Sequence, residues 1–141
     1  MPSMNQTEID DFLHAPRHAI VGTIGRDGAP QLSPVWYIYE EGRFYIGITA
    51  DTAKYRNLRR DPRISLCIDG GREDVRTVMV TGTAELYEKA HPLQAPMRWR
   101  LISHYIADPA EAHRYADSSQ DWEAVLIVVT PTKMITQNFK E

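Results

Sequence analysis

Seven short apolar segments, each bounded by turn residues, are distributed along most of this chain. This pattern limits the folds that the chain can adopt. The segments have lengths and alternating patterns that are typical of β-strands. They cover residues 18–24, 31–39, 43–49, 63–68, 75–86, 123–130 and 134–139. The segments lack the regular strand–helix alternation of a parallel α/β protein. The pattern therefore predicts a mainly antiparallel sheet.

Glycine-containing turns support hairpin connections between these strands. Asp27-Gly28 and Glu41-Gly42 supply residues that tolerate the positive φ angles of tight turns. Gly82 lies inside the long predicted strand, which indicates a β-bulge or a close backbone contact. Antiparallel sheets of this size usually close into a barrel, because closure removes exposed edges. We expect one mainly β domain over residues 1–141, a β-barrel with peripheral helices.

Three helical segments interrupt the strands. Residues 7–10 resemble a capping box and open a helix that ends at Ala15-Pro16. Asp51 or Thr52 can cap a second helix that runs to about Asp61. Residues 90–116 form a helical region with a break at Pro109, and residues 97–105 within it are amphipathic. That stretch either packs on the barrel or lines a substrate entrance.

Composition sets the class of protein and its compartment. In 141 residues, 43% are hydrophobic and 25% are charged, which is ordinary for a globular domain. The longest apolar run, residues 124–129, is far shorter than the ~18 residues of a membrane span. Cys67 is the only cysteine, so no intrachain disulfide can form, and the first residues show no signal-peptide pattern. We predict a cytoplasmic protein with no membrane partner.

Basic residues concentrate in one segment of a mildly acidic chain. The net charge of −3 does not favour nucleic-acid binding. Between residues 54 and 63 one acid, Asp61, stands among five basic residues, which are Lys54, Arg56, Arg59, Arg60 and Arg63. Lys54 falls in the first turn of the predicted helix, where unpaired N–H groups favour phosphate. The segment is therefore either an anion site or a solvated helix face.

Three segments in fixed order carry a family resemblance. They are residues 28–37 (Gly-Ala-Pro-Gln-Leu-Ser-Pro-Val-Trp-Tyr), residues 52–66, which include Lys54, and residues 78–85 (Val-Met-Val-Thr-Gly-Thr-Ala-Glu). Together they resemble the pyridoxamine 5'-phosphate oxidase-like superfamily, especially its deazaflavin-dependent branch. The resemblance covers residues 9–88. It implies a split β-barrel of the FMN-binding type and a homodimer, with the cofactor ring in a groove between subunits.

The resemblance also implies a cofactor site. The matching positions lie on the second strand, the end of the third strand and the second helix, and they are Gln31, Ser33, Val35, Trp36, Ile48, Thr49, Lys54 and Asn57. Lys54 corresponds to the basic residue that binds the cofactor phosphate, with Asn57 as a neighbouring polar contact. The second-strand positions border the ring, and Ile48 and Thr49 approach the phosphate.

Departures from the family pattern limit which cofactor and which reaction the resemblance implies. True pyridoxamine phosphate oxidases carry a basic residue at each end of the second-strand motif, whereas residues 34–38 here carry none. Thr77 replaces an expected glutamine, and residues 133–139 lack the arginine and histidine that act on the pyridoxal substrate. The resemblance then implies that F420 is the favoured cofactor, that FMN is second, and that pyridoxamine phosphate is not the substrate.

These features together predict an F420- or FMN-dependent oxidoreductase that transfers a hydride to or from a small organic substrate. No convincing nucleophilic triad is present, so no catalytic side chain is assigned. The alternative is a non-catalytic carrier of a flavin, a deazaflavin or haem. The five histidines show no metal-ligand spacing, so no metal site is predicted. We expect substrate contacts from residues 70–74 and 90–121. Trp99 and Trp122 are expected to lie in the core or at an interface.

Overall fold

The computed structural model describes residues 3–139 and confirms the mainly β class. Seven strands form a curled antiparallel half-barrel, accompanied by four helices. In chain order the elements are α1 (Gln6–His14), β1 (Ala19–Ile24), β2 (Pro30–Val35), β3 (Tyr37–Glu40), β4 (Arg43–Thr49), α2 (Ala53–Arg60), β5 (Arg63–Asp69), β6 (Arg76–Tyr87), α3 (Gln94–Tyr105), α4 (Pro109–Ser118) and β7 (Ala124–Asn138).

The order of strands across the sheet is β2-β1-β5-β6-β7-β4-β3. Strands β2 and β3 follow each other in the chain but lie at opposite edges. Each predicted hairpin turn is present, with positive φ at Gly28, Glu41 and Gly42. Alternate side chains of the strands point into the curl, where Phe12 of α1 completes the apolar core.

One predicted strand is in fact two. The expected strand over residues 31–39 breaks at Trp36, because β2 pairs with β1 whereas β3 pairs with β4. The Tyr105 hydroxyl accepts a hydrogen bond from the Tyr37 amide at 3.0 Å and donates one to the Arg17 carbonyl at 2.6 Å. Apolar alternation continues through the break, so the sequence pattern gives no sign that the pairing partner changes.

The two predicted final strands are in fact one. Strand β7 continues through Pro131, which lies opposite Gly82 at a shift in the β6–β7 register. A Cβ atom at Gly82 would collide with the Thr130 carbonyl oxygen. The bulge predicted at Gly82 is therefore confirmed, and it lets the sheet absorb a proline that cannot donate to the ladder.

The helices differ from prediction mainly at their first residues. Asn5 caps α1 and forms the capping box with Glu8, two residues before the predicted Thr7. Pro109 begins α4, with Asp108 as its cap, instead of breaking one long helix. Within residues 3–139, none of the helices combines the length and the apolar character that crossing a bilayer requires.

Helix α3 adds a second apolar layer outside the barrel. Met97 and Leu101 of α3 pack on Leu126 and Val128 of β7, while Ile127 and its inward neighbours fill the barrel core. This double burial explains why residues 125–129 are all apolar: that part of β7 is covered on both faces.

Asp74 forms salt bridges with Arg17 and Arg76, and this network allows a test of how folding stability depends on acidic pH. Asp74 accepts hydrogen bonds from Arg76 at 2.6 and 2.8 Å and from Arg17 at 2.8 Å. The bonds from Arg76 are the largest cause that lowers the pKa of Asp74 to about 2. Because the folded-state pKa is depressed, this contribution is complete above the ordinary value of 3.8 and disappears as the pH falls through about 2.

Asp74→Asn should lower the free energy of unfolding at pH 7 by about 1–3 kcal/mol, the usual cost of losing a charged hydrogen-bond partner. Its stability should also fall less than that of the parent chain between pH 4 and pH 2. Urea unfolding at stepped pH measures both effects. Asp117→Asn, an exposed control, should follow the parent profile, and identical acid profiles for Asp74→Asn and the parent would contradict the assignment.

Candidate functional site

A pocket of about 330 Å³ lies where the barrel meets helices α3 and α4. Its barrel wall is formed by residues 34–36 at the end of β2, residues 47–49 of β4, and Thr52 and Lys54 at the start of α2. Its helical wall, from α3, α4 and the segment before β7, includes Gln94, Arg98, Leu101, Tyr115, Ser119 and Trp122. The volume is within the range of small-molecule sites.

Most of the predicted cofactor contacts meet on the barrel wall. Val35, Trp36, Ile48, Thr49 and Lys54 all line the pocket. They come together because β2 ends beside the end of β4, and the chain turns from β4 directly into α2. Ser33 lies next to this group, and its hydroxyl oxygen is 3.3 Å from the Lys54 ammonium nitrogen.

The Lys54 ammonium is a half-buried cation with no carboxylate partner among residues 3–139. Burial lowers the pKa of Lys54, because the charged form loses hydration. A bound anion would restore the favourable interaction that burial removes. The geometry therefore fits an acidic ligand group at this position.

The start of α2 adds backbone donors beside Lys54. The Thr52 side chain accepts from the Tyr55 amide, and its hydroxyl donates to the Thr49 carbonyl at 2.8 Å. These contacts fix the turn between β4 and α2. The amides of Ala53 and Lys54, in the first turn, have no acceptor within the helix. A ligand phosphate near Lys54 would find these donors already oriented.

Like Ser33, two further predicted contacts, Asn57 and Gln31, lie outside the pocket lining. The Asn57 amide donates to the Thr23 hydroxyl at 3.1 Å and accepts from Arg60 at 2.8 Å. The Gln31 side-chain oxygen is 3.4 Å from the same Thr23 hydroxyl. Asn57 is buried and joins α2 to β1 in this way. The roles of Asn57 and Gln31 in cofactor binding stay predictions, as do those of the predicted residues that line the pocket.

Residues of the helical wall were not identified individually from the sequence. Gln94 and Arg98 are four residues apart, so they share one face of α3. That spacing is visible in the sequence, but only the packing of Met97 and Leu101 on β7 decides which face of α3 meets the pocket. Residues 97–105 thus both pack on the barrel and contribute to the pocket.

Aromatic side chains surround the pocket. Trp36 stacks on Tyr105, with ring centroids 4.7 Å apart and planes inclined by 5°, and it also approaches Tyr115 at 5.9 Å. Trp122, expected in the core or an interface, is 50% exposed and lines the pocket. Trp99 is also partly exposed and stacks on His113.

The other segment expected to contact substrate lies elsewhere. Residues 70–74 do not line the pocket, and Asp74 is bound by two arginines. Within the described part of the chain, no cluster of three or more histidine, cysteine or acidic side chains is arranged to hold a metal ion.

The curled antiparallel half-barrel, with a ligand-sized pocket beside its open edge, defines a split β-barrel protein. Residues 6–138 match the family model described as pyridoxamine 5'-phosphate oxidase, so the chain belongs to this family. The resemblance found in the sequence is thereby confirmed.

Solved structures with the same fold include proteins whose names describe different roles. A conserved hypothetical protein of Mycobacterium tuberculosis is 27% identical, with a TM-score of 0.77 over 96% of this chain and 85% of that chain. An F420 reductase is 21% identical, with a TM-score of 0.69 over 89% and 94%. A FAD-binding protein of Mesorhizobium loti is 20% identical, with a TM-score of 0.69 over 96% and 93%.

Proposed function

We propose that this protein is an oxidoreductase that binds a phosphate-bearing deazaflavin or flavin in the pocket and transfers a hydride to or from a small organic substrate. The observation that carries the proposal is Lys54, a half-buried cation on the edge of a ligand-sized pocket and at the start of a helix, with no counter-ion in the described range 3–139. A phosphate matches both the charge and the backbone donors there.

The residues present fit such a cofactor. When bound, it supplies the atom that gives or accepts the hydride. Val35 and Ile48 offer apolar surface to a ring, and Lys54 anchors the charged tail. The barrel wall fixes the position of the ring, and the helical wall excludes water from it. The protein needs no nucleophilic side chain for this role.

F420 is the favoured cofactor, with FMN as the alternative. The stretch from Pro34 to Ile38 brings no cation to the barrel wall, in contrast to true pyridoxamine phosphate oxidases. A similar structure is described as an F420 reductase and another as a FAD-binding protein, which supports a cofactor of this chemical class. Because residues 34–38 lack the cations of true pyridoxamine phosphate oxidases, we also propose that pyridoxamine phosphate is not the substrate.

We further propose a homodimer that forms through the outer sheet face. Cross-strand pairing aligns an apolar row over five strands, and its members are Pro34, Ile20, Cys67, Met79 and Ile135. Burial is the main cause that raises the pKa of the Cys67 thiol, so this position stays neutral at pH 7. Pro34 also lines the pocket. A second copy seated on this apolar row would therefore border the cofactor site.

Lys54→Ala should weaken the affinity for F420 or FMN by about ten- to a hundredfold, since a charge-assisted hydrogen bond contributes roughly 1.5–3 kcal/mol. Fluorescence titration with each cofactor measures the dissociation constants. Arg59→Ala is the matched control, because Arg59 is an exposed cation on the same helix that does not line the pocket. Unchanged affinity of Lys54→Ala for both cofactors would refute the phosphate site.

Activity is tested separately from binding. The cofactor-loaded protein is reduced and then mixed with a panel of enones, quinones and tetrapyrroles, while absorbance records reoxidation. An oxidoreductase should be reoxidised by at least one acceptor faster than the free reduced cofactor. Failure with every acceptor would contradict the enzymatic proposal and favour a carrier.

A further inference from the structure

We propose that Arg98 and Gln94 form a substrate subsite on the helical wall, which binds the carboxylate of a flat aromatic acid. The inference rests on the proposed function, because it concerns the helical wall of the pocket whose barrel wall is assigned to the cofactor. It names a substrate class that neither the family nor the similar structures specify.

Gln94 is a largely buried residue whose side-chain amide borders the pocket and has no hydrogen-bond partner among residues 3–139. The residue as a whole is 4% exposed. The amide nitrogen and oxygen stay accessible through the pocket, so both are free to bond a ligand. An oxygen atom of a ligand inside the pocket would accept from the Gln94 amide.

Arg98 is a half-buried cation on the same face of α3. One terminal nitrogen of its guanidinium donates to the Ser119 hydroxyl at 2.5 Å and to the Ala116 carbonyl at 3.1 Å. In the described chain no carboxylate pairs with it. The other N–H groups of the guanidinium stay available, and a carboxylate is the planar anion that an arginine binds best.

Ser119 positions Arg98 and does not itself need to touch the substrate. Its side chain is buried, and its hydroxyl donates to the Tyr115 carbonyl at 2.6 Å. The hydroxyl oxygen is therefore directed to accept from Arg98. A guanidinium held on one side by α4 presents its remaining donors in a fixed orientation, which lowers the entropic cost of binding an anion.

The remaining lining indicates what the anion is attached to. Trp36, Tyr115 and Trp122 border the pocket with aromatic surface, which favours a flat apolar body. Lys54 supplies a second cation, but on the barrel wall, where the cofactor phosphate is placed. The two cations belong to different walls of the pocket and suit two different anions, so Arg98 is the one assigned to the substrate.

Calorimetric titration of the F420-loaded protein with trans-cinnamate and with neutral cinnamamide tests the subsite. The parent protein should bind cinnamate more tightly than cinnamamide. Arg98→Gln should weaken cinnamate binding by about ten- to a hundredfold and change cinnamamide binding by less than about threefold. Arg98→Lys, which keeps the charge, should restore part of the preference for the acid.

Gln94→Met should weaken binding of cinnamate by about three- to tenfold, because it removes one neutral donor. Arg114→Gln, which removes an exposed cation of α4 outside the pocket, is the matched control and should bind both probes like the parent. Circular dichroism confirms that each variant is folded before titration.

The proposal is overturned if cinnamate does not bind, if both probes bind equally, or if Arg98→Gln leaves cinnamate affinity unchanged. A loss of F420 affinity in Arg98→Gln, with cinnamate binding intact, would reassign Arg98 to the cofactor. If neither F420 nor FMN binds the parent chain while cinnamate binding to the unloaded protein still depends on Arg98, the proposed function fails and the anion subsite stands.

Discussion

Ile20→Asp is expected to be a monomer at concentrations where the parent chain is a dimer. Ile20 is 39% exposed on β1 and lies in the apolar row of the outer sheet face. Association on that face would bury a carboxylate without a partner in each subunit. Each of the two charges costs about 3–5 kcal/mol, so one alone corresponds to a dimer weaker by roughly two to four orders of magnitude.

Sedimentation equilibrium over a range of concentrations measures this change directly. Leu93→Asp is the control, because Leu93 is 48% exposed but lies at the start of α3, away from the apolar row. The control should remain a dimer. If Ile20→Asp dimerises as tightly as the parent, or if the parent is monomeric, the proposed interface is wrong. Where the interface is right, Ile20→Asp should also bind F420 more weakly.

Phe44→Ala is expected to lower the free energy of unfolding by about 3–5 kcal/mol. Phe44 of β4 is fully buried and contacts the rings of Tyr37 and Tyr39 with centroid distances of 5.9 and 4.8 Å. Its removal would leave a cavity in the middle of the curl, where β4 pairs with β7 on one side and β3 on the other. The rigid sheet can relax only partly around it.

Urea unfolding followed by circular dichroism measures the loss. Phe139→Ala provides the same substitution at a side chain that is 48% exposed, and it should change stability by no more than about 0.5 kcal/mol. A similarly small effect at Phe44 would show that the curl is not packed around this ring.

Features that depend on local chemistry were predicted well from the sequence. Gly28 and Gly42 adopt positive φ as their turns require, and Thr52 caps α2 as expected. The same local unit, from β4 into α2, carries Ile48, Thr49 and Lys54 to the pocket. The site could be anticipated to this extent because neighbouring residues build most of the barrel wall.

Features that depend on distant pairing could not be predicted. The break at Trp36 and the continuity of β7 through Pro131 follow from which strands become neighbours, and apolar alternation does not encode that choice. Arg98 and Gln94 reach the pocket only because α3 packs outside the sheet. The three sequence segments that carry the family resemblance end before this helix, so they do not indicate its residues.

The break between β2 and β3 has a consequence for how such a pocket can change over time. Trp36 joins β2 at one edge of the sheet to β3 at the other edge, so it belongs to neither strand ladder. Side chains exchanged at this crossing alter the shape of the cavity while every cross-strand hydrogen bond stays in place. New ligand preferences can therefore arise beside the open edge of the barrel while the strand pairing that defines the fold is kept.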